Sequence, residues 1–337
     1  MMLRDFHYYC VGVLAKAAGF QEDDALTIAY ASQYVDDATE SEPINVGDMI
    51  FDPVRTAQYG LDSYGWSTQK RIFIPFHFLP PRPLKTAQDS FKTEPNSVFA
   101  HMIWNEAQKE DDSLHRLCRM GVALHTFADT WSHQGFSGRH NKENDVENIQ
   151  IYDGDKWKRL RLENIYLDFL PQIGHAEAGY FPDQSYRVWK YRKNKPKKMI
   201  PPRYNMKEFS NAAETIYNLL HAADKPASDH SIPWSEINDK IENLFADPEE
   251  DLDNRCAMWR EAFEDVFDTE KFEYNRRKWR EDALDPKRKR DIDWDDFEPS
   301  DFKRLRFPMK PGFYETPWVK FHRAALKQRH FVLENLL

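Results

Sequence analysis

The sequence predicts a mainly α-helical fold for a chain of 337 residues. Apolar residues recur at the three- and four-residue spacing of amphipathic helices along most of the chain, and capping residues and glycines flank several of these stretches. One short stretch, IQIYDGDKWKRLRL, instead alternates around an Asp-Gly turn, which predicts a small β-hairpin. The hydrophobic content of 41% is enough for a sizeable core, so we expect a globular protein.

The overall composition argues against several classes of protein. The net charge of −9 argues against a protein that binds nucleic acid through a general basic face. No apolar run in the sequence reaches the length of a membrane span. The first residues lack the basic start, apolar core and cleavage site of a secretory signal, so we expect a soluble, cytoplasmic protein. Cys10, Cys118 and Cys256 are few and widely spaced, which indicates neither a disulfide framework nor a thiolate zinc site.

The first two helices are predicted to form an antiparallel hairpin. One helix runs from about Phe6 to Ala18 and stops at Gly19. The next begins after Asp23 and Asp24, whose side chains can cap it, and continues through ALTIAYASQYVDD.

The open end of this hairpin carries groups that can bind a metal. His7 lies twelve residues before Gly19, and Asp36 and Asp37 lie a similar distance along the second helix, twelve and thirteen residues after Asp24. Residues equidistant from the turn of an antiparallel pair are neighbours, so His7 is expected to meet Asp36 or Asp37 there.

Prolines interrupt residues 41–95, which predicts a long irregular segment of the kind that often carries function. Within it, His77 stands in the apolar stretch RIFIPFHFLPP and is expected to face inward. An isolated histidine of this kind is most often a hydrogen-bonded core residue, and it is also a candidate metal ligand. Helices are predicted at about 97–108, 113–134, 164–170, 206–223, 234–245, 252–267 and 316–337.

The predicted helix at 113–134 carries three metal-capable side chains in register. His125, Asp129 and His133 are four residues apart in GVALHTFADTWSHQGFSG, so all three lie within about 80° of one helix face. The two histidines are roughly 12 Å apart along the axis, which is too far for one ion with ligands at about 2.0–2.2 Å. Either these are ordinary hydrogen-bonded core residues, or they belong to a site with more than one ion.

The candidate ligands all precede residue 185. We therefore divide the chain into a metal-binding helical core, 1–185, and a helical C-terminal extension, 186–337, packed on the same domain. A basic run at 192–198 and a mixed-charge run at 285–304 are predicted to be solvated faces rather than binding patches.

The order of the candidate ligands resembles that of the bacterial zinc-dependent phospholipases C and the related single-strand-specific nucleases, over about residues 1–185. Those enzymes are helical and hold three zinc ions in a cleft, so the resemblance implies a similar core and Zn²⁺, or another divalent metal. The stretches DFHYY, IAYASQYVDDA and HTFADTWSHQGFSG more narrowly resemble an uncharacterised bacterial family that we associate with this superfamily. The matching residues are His7, Asp36 or Asp37, His77, His125, Asp129, His133 and His175.

The chain departs from the family pattern in three places. The phospholipases bind one zinc through the amino group of an N-terminal Trp, which this chain lacks. The last helical histidine follows the first by eight residues here and by ten in the family, and His175 is followed four residues later by Gly179 instead of Glu. Glu177 or Asp183 is a candidate substitute, and Asp5 is a candidate replacement ligand near the first helix. Two ions are therefore expected more firmly than three.

The resemblance implies phosphoester hydrolysis. Two ions about 3.5–4 Å apart lower the pKa of a bridging water and stabilise charge on the attacked phosphorus. Asp129 would bridge the ions, and a carboxylate of the Asp36/Asp37 pair left off the metal would act as general base. The expected ligand sets are His7 with Asp36 or Asp37, His77 with His125, and His133 with His175.

Two functions fit these observations. The first is a zinc-dependent phosphoester hydrolase acting on a lipid headgroup, a nucleotide or single-stranded nucleic acid. The second is a non-catalytic helical protein in which the ions tie helix ends together and residues 186–337 bind a protein partner. An open coordination position would favour catalysis, and a closed site would favour structure. A histidine–aspartate phosphohydrolase is rejected because the chain contains no adjacent His-Asp doublet.

Overall fold

The computed structural model confirms the mainly helical fold. It describes residues 2–40, 43–46, 49–58, 61–86, 88–159, 173–193, 197–225, 231–284, 306–307 and 310–336. The helix predicted at 164–170 and the mixed-charge run at 285–304 lie outside these residues. In the described part of the chain, no helix is both long enough and apolar enough to span a membrane.

The main helices occur close to their predicted positions. A π-helical turn, Asp5–Cys10, leads into the first of them. The helix predicted at 252–267 ends early at Ala262, and a short helix that the sequence did not predict follows it. The α-helices of six or more residues are α1 Val11–Ala17, α2 Glu22–Asp37, α3 Val98–Ala107, α4 Ser113–Ser132, α5 Asn205–Ala222, α6 Trp234–Ala246, α7 Leu252–Ala262, α8 Lys278–Ala283 and α9 Pro317–Glu334. The segment predicted to be irregular, 41–95, is partly helical instead: the short helices Trp66–Thr68 and Ile74–Phe76 are joined by a π-helical turn, Gln69–Phe73, directly before His77.

The first hairpin has the predicted arrangement, with one correction at the start of α2. Gly19 makes the turn at φ 100°, a conformation that glycine adopts without strain. Asp23 and Asp24 do not cap α2, because Gln21 is its N-cap residue. The two carboxylates lie in the first turn instead, where they interact favourably with the positive end of the helix dipole.

The strands form two small sheets. The strands are β1 Ile44–Val46, β2 Met49–Phe51, β3 Val146–Tyr152, β4 Trp157–Arg159, β5 Val188–Lys193, β6 Lys198–Met199, β7 Arg203–Tyr204 and β8 Arg306–Phe307. Within the described residues, one sheet has the order β2-β1-β8, and β1 runs parallel to β8. The other sheet is antiparallel with the order β4-β3-β5-β6, and β7 also pairs with β5.

The second sheet confirms the predicted hairpin and corrects the prediction for the basic run at 192–198. β3 and β4 pair around Gly154, which has φ 97°. Arg192 and Lys193 do not lie in a solvated loop, because they belong to β5. Lys193 is buried, and its Nζ donates to the carbonyls of Gly135 at 3.0 Å and Glu143 at 2.8 Å.

Helix α4 lies at the centre of the main core and packs against α2, α3, α5 and α9. Since α5 and α9 belong to the predicted C-terminal extension, both parts of the chain contribute to one core. The pairing of β3 with β5 likewise crosses residue 185. A second, smaller core lies against the sheet and includes Phe78 and Trp189.

A glycine brings α2 and α4 into unusually close contact. A Cβ on Gly121 would lie 2.4 Å from the carbonyl oxygen of Ile28 and 2.5 Å from the Cβ of Ala31. Only a residue without a side chain fits this crossing. One turn further along each helix, the crossing places His125 of α4 beside Ser32 of α2.

Candidate metal centre

Buried histidines and aspartates gather around the C-terminal half of α4 in three groups. In each group the candidate ligand atoms all lie within 4.8 Å of one another. We name them the N-terminal group (His7, His125 and Asp129), the central group (Asp36, His77 and His125) and the outer group (His133, His175 and Asp183).

The central group approaches the geometry of a four-coordinate metal site when Asp129 is included. The Nε2 of His125 lies 3.1 Å from the Nδ1 of His77, 3.4 Å from the Oδ2 of Asp129 and 3.6 Å from the Oδ1 of Asp36. The Nδ1 of His77 lies 3.2 Å from the Oδ2 of Asp129 and 3.9 Å from the Oδ1 of Asp36. Tetrahedral ligands about 2.0–2.2 Å from zinc are about 3.3–3.6 Å from one another. These five distances, 3.1–3.9 Å, lie within about 0.3 Å of the edges of a zinc tetrahedron.

Backbone carbonyls fix the tautomers of both central histidines. The Nε2 of His77 lies 2.9 Å from the carbonyl oxygen of Thr56, and the Nδ1 of His125 lies 2.8 Å from that of Ser32. A carbonyl oxygen only accepts, so each of these nitrogens carries a proton. In the neutral form of either ring, the other nitrogen presents a lone pair to the two carboxylates. An imidazole held by an outer carbonyl is the usual form of a metal ligand, so the two rings and two carboxylates can hold a cation.

The N-terminal group lies directly against the central one. The ring of His7 stacks on that of His125 with centroids 3.8 Å apart, and its Nε2 lies 3.2 Å from the Oδ1 of Asp129. Among the described residues, the Nδ1 of His7 has no hydrogen-bond partner, although the ring is fully buried. The backbone N–H of Met2 donates to the Oδ1 of Asp129 at 3.2 Å.

His125 and Asp129 have different capacities to join these two groups. His125 has one nitrogen left after its bond to Ser32, so it can serve only one ion. The two oxygens of Asp129 face different partners, with Oδ1 toward His7 and Oδ2 toward His77 and His125. Asp129 is therefore the residue that can hold two ions at once.

The outer group is built around Asp183. The Nε2 of His133 lies 3.5 Å from one oxygen of Asp183, and the Nε2 of His175 lies 3.4 Å from the other. The Nδ1 of His133 donates to the carbonyl of His77 at 2.7 Å, and that of His175 donates to the carbonyl of Gly179 at 2.9 Å. Both Nε2 atoms thus carry lone pairs directed at Asp183. His133 is the residue that ends α4 rather than part of the helix itself.

Aromatic packing holds the outer group in place. The ring of Phe78 stacks on that of His133 with centroids 4.4 Å apart. Gly174, with φ 56°, lies against Phe78 so closely that a Cβ would be 2.1 Å from the ring. Gly174 directly precedes His175, so this contact also sets the position of the second histidine.

The electrostatics of the buried residues favour the metal-binding protonation states. Burial and the neighbouring His7 hold the pKa of His125 well below its ordinary value, so the ring is neutral. Burial alone would raise the pKa of Asp129, but the imidazoles of His133 and His125 lower it well below its usual range. Among the described residues, no Lys or Arg lies within 4 Å of Asp129, and its ion-pair partners are the imidazoles of His7, His77, His125 and His133.

The pKa values of the carboxylates of Asp36 and Asp183 are shifted in opposite directions. Burial, together with the charge of Asp129, raises the pKa of Asp36 well above its ordinary value, which indicates that a cation is needed to keep it ionised. In the outer group burial lowers the pKa of His175 to about 3. Burial opposes ionisation of Asp183, but His175 and His133 lower its pKa to about 2.

The structure groups the predicted ligands differently from the sequence in several respects. Asp36, expected beside His7, lies with His77 and His125. Asp37 lies outside the three groups, and its Oδ2 accepts hydrogen bonds from the hydroxyl of Tyr274 at 2.7 Å and the amide of Gln33 at 3.3 Å.

Two further candidate ligands have other partners. Asp5 forms an ion pair with Arg255, whose Nε lies 2.7 Å from its Oδ2. Glu177 accepts a hydrogen bond from the backbone N–H of Val146 at 2.9 Å, so Asp183 is the acid that joins the outer group.

A cleft of 1720 Å³ reaches the centre from one side. Asp36, Asp37 and Asp183 lie in its wall, together with Met2. By contrast His7, His125 and Asp129 have 0% exposed surface. The central and outer groups therefore each present a carboxylate to the cleft, while the N-terminal group is enclosed.

The fold and the site together define a helical protein with buried histidine–aspartate groups that can hold metal ions. The chain belongs to a family of unknown function, DUF6765, whose sequence profile matches residues 2–336. No curated protein and no solved structure matches the chain. The family match carries no link to the zinc-dependent phospholipases C or nucleases, so that resemblance stays a prediction.

Proposed function

We propose that this protein is a zinc-dependent phosphoester hydrolase with two or three ions in the centre around Asp129. One observation carries the proposal: four histidines, each fixed by a backbone carbonyl, direct their other nitrogen at buried carboxylates that line a cleft. These histidines are His77, His125, His133 and His175.

The donor set supports zinc in particular. Imidazole nitrogens and carboxylate oxygens suit a borderline divalent ion, and the distances in the central group lie within about 0.3 Å of tetrahedral edges. Calcium and magnesium prefer six or more oxygen ligands, which this centre does not provide among the described residues.

The outer group supports catalysis rather than structure alone. Three protein ligands with a free fourth position are typical of catalytic zinc, whereas structural zinc is closed by four. The outer group offers His133, His175 and Asp183, and Asp183 faces the cleft. Bound zinc would lower the pKa of a water and stabilise charge on an attacked phosphorus.

Residues around the metal would perform the remaining steps. Asp129 would hold two ions in fixed relation through its two oxygens. Asp37 lies in the cleft wall next to Asp36, outside the ligand groups, and hydrogen bonds from Tyr274 and Gln33 fix its orientation. We assign Asp37 the role of general base, which would accept a proton from the attacking water.

The cleft favours a polar substrate. Its wall carries charged residues of both signs, including Arg276, Arg277 and Glu273, and hydroxyl groups such as that of Tyr274. This lining suits a phosphoester with a polar group attached, as in a lipid headgroup, a nucleotide or single-stranded nucleic acid. The wall also carries apolar side chains, including Leu3, Leu26 and Trp279, which would pack against the apolar part of such a substrate.

A second candidate function is a non-catalytic protein whose ions tie helix ends together. The complete burial of His7, His125 and Asp129 favours it, because enclosed sites are typical of structural metals. In that case residues 186–337 would act as a surface for a protein partner.

Metal analysis and one hydrolysis assay separate the two functions. Purified protein, prepared without chelator, is analysed for zinc and tested for hydrolysis of bis-p-nitrophenyl phosphate as wild type, Asp129→Asn and Asp37→Asn. A hydrolase is expected to contain at least two zinc ions, to lose zinc and activity in Asp129→Asn, and to lose activity but keep zinc in Asp37→Asn. Stoichiometric zinc without hydrolysis of any phosphoester would support the non-catalytic function, and protein without zinc would exclude both.

A further inference from the structure

Arg255, in helix α7 of the C-terminal extension, connects the segments that carry two different groups of the metal centre. Its guanidinium is buried, with 3% of the residue exposed. On one side its Nε donates to Asp5, two residues before His7. On the other its Nη2 donates at 2.6 Å to the hydroxyl of Ser185, two residues after Asp183.

All five donors of this guanidinium are used. The remaining three bonds go to backbone carbonyls at and beyond the end of α6, those of Leu244 at 3.3 Å, Asp247 at 2.9 Å and Glu249 at 3.3 Å. Carbonyls at a helix C-terminus carry partial negative charge and bind cations well. The bonds to these carbonyls anchor the side chain of Arg255 to the extension, and the bonds to Asp5 and Ser185 hold the two metal-binding segments.

The bonds to Asp5 and Ser185 continue into the backbone of each segment. The Oδ1 of Asp5 accepts from the backbone N–H of Phe6 at 3.0 Å, which fixes the start of the π-helical turn that includes His7. The hydroxyl of Ser185 donates to the carbonyl of Phe245 at 2.9 Å. Both segments are therefore held against the same end of α6.

Burying an arginine in a protein core costs desolvation free energy that an apolar side chain would not. Replacing a buried ion pair by well-packed apolar residues is often neutral or stabilising, so stability alone does not account for this choice. What a guanidinium supplies is fixed direction, since its planar fork holds its partners at defined angles. We propose that Arg255 is a positioning residue that holds His7 and Asp183 in the geometry required for metal binding. The proposal rests on the metal binding of the proposed function, although not on hydrolysis.

Zinc affinity measured on the whole chain tests this role. The protein is stripped with a chelator, and Zn²⁺ alone is titrated in competition with a chromophoric chelator for wild type, Arg255→Lys, Asp5→Asn and Ser185→Ala. Arg255→Lys keeps the charge and loses the fork. Groups that orient metal ligands typically contribute 10–100-fold to affinity, so we expect losses of about that size.

The variants are expected to differ in which ion they affect. Asp5→Asn should weaken the ion that depends on His7, and Ser185→Ala should weaken the ion of the outer group. Arg255→Lys should weaken both. In an Asp183→Asn background Ser185→Ala should have no further effect, because the ion it supports is already lost, whereas Asp5→Asn should retain its effect.

Arg187→Lys is the matched control. Arg187 pairs with Glu250 near the surface and donates to the side chains of Gln184 and Tyr186, and its side chain forms no hydrogen bond with Asp5 or Ser185. It should bind zinc as wild type does. A purely structural role for Arg255 predicts lower unfolding temperatures with unchanged zinc affinities in every folded variant, and that result would overturn the proposal.

The outcomes also separate this proposal from the proposed function. If wild type binds no zinc, the proposed function fails, and the positioning role fails with it. If wild type binds zinc and all three variants match it, only the positioning role fails. If Arg255→Lys does not fold, the selective losses in Asp5→Asn and Ser185→Ala decide the question.

Discussion

Replacing Gly121 by alanine tests the link between helix packing and the metal centre. The substitution adds one methyl group at the crossing of α2 and α4, one turn before His125. Nothing in the centre is changed chemically. Any effect on metal binding must therefore pass through the distance between the two helices.

The size of the effect follows from the contacts at the crossing. The new Cβ would lie 2.4 Å from the carbonyl oxygen of Ile28, whereas ordinary contact begins at 3.4 Å, so the helices must separate by about 1.0 Å. The bond from His125 to the carbonyl of Ser32, now 2.8 Å, would lengthen toward about 3.8 Å and be lost. Overpacking costs about 1–3 kcal/mol and the lost bond about 1 kcal/mol, against a gain of about 1 kcal/mol in helix propensity. We expect net destabilisation of about 1–3 kcal/mol.

Two measurements check this prediction. Denaturant unfolding of the metal-free protein reports the loss of stability, and zinc titration should show a loss of affinity of about 10–100-fold because His125 loses the carbonyl that fixes its tautomer. Gly12→Ala is the control: its Cβ would meet the ring of Phe272 at 2.9 Å and Ala29 at 3.4 Å, away from the metal centre. Unchanged zinc affinity in a destabilised Gly121→Ala would refute the coupling of packing to the site.

Three further predictions concern the metals and the core. Asp183→Asn should remove one zinc per chain and lower phosphodiester hydrolysis by at least about 100-fold while the other ions remain, as metal analysis and kinetics would show. Removing zinc with a chelator should lower the free energy of unfolding, by about 4 kcal/mol per ion if free zinc had been 1,000 times its Kd, and calorimetry with and without zinc measures this. Burial lowers the pKa of His322 to about 3. As the pH falls below about 6.5, this histidine is therefore protonated in the unfolded chain but stays neutral in the folded chain. Stability should therefore fall by about 1.4 kcal/mol per pH unit between about pH 6 and 4 through this residue, and urea titrations should show a flatter pH dependence in His322→Gln.

The helices and the spacing of the ligands could be predicted from the sequence because they depend on local periodicity. The four-residue repeat of His125, Asp129 and His133 indicated separate ions, and the structure places the two histidines in different groups. The Asp-Gly turn likewise predicted the hairpin of β3 and β4. In each case the relevant neighbours are a few residues apart in the chain.

The membership of the groups could not be predicted in this way. Asp36 and Asp37 are adjacent and chemically identical, yet only Asp36 joins the centre, while Tyr274 binds Asp37 from more than two hundred residues away. The acceptors that fix the histidine tautomers are backbone carbonyls, which every residue type carries, so no sequence signal marks Ser32 or Thr56. Arg255 is similarly unmarked, since its role depends on partners far along the chain.

The sequence by itself determined that this is a helical protein with an ordered set of histidines and aspartates of the types that bind metal ions. The tertiary structure alone decided which of them meet, which nitrogens they present and which carboxylates reach the cleft. The physical reason is that helix periodicity is set by bonds within four residues, whereas a metal centre is set by how helices cross. Here that crossing depends on the missing side chain of Gly121.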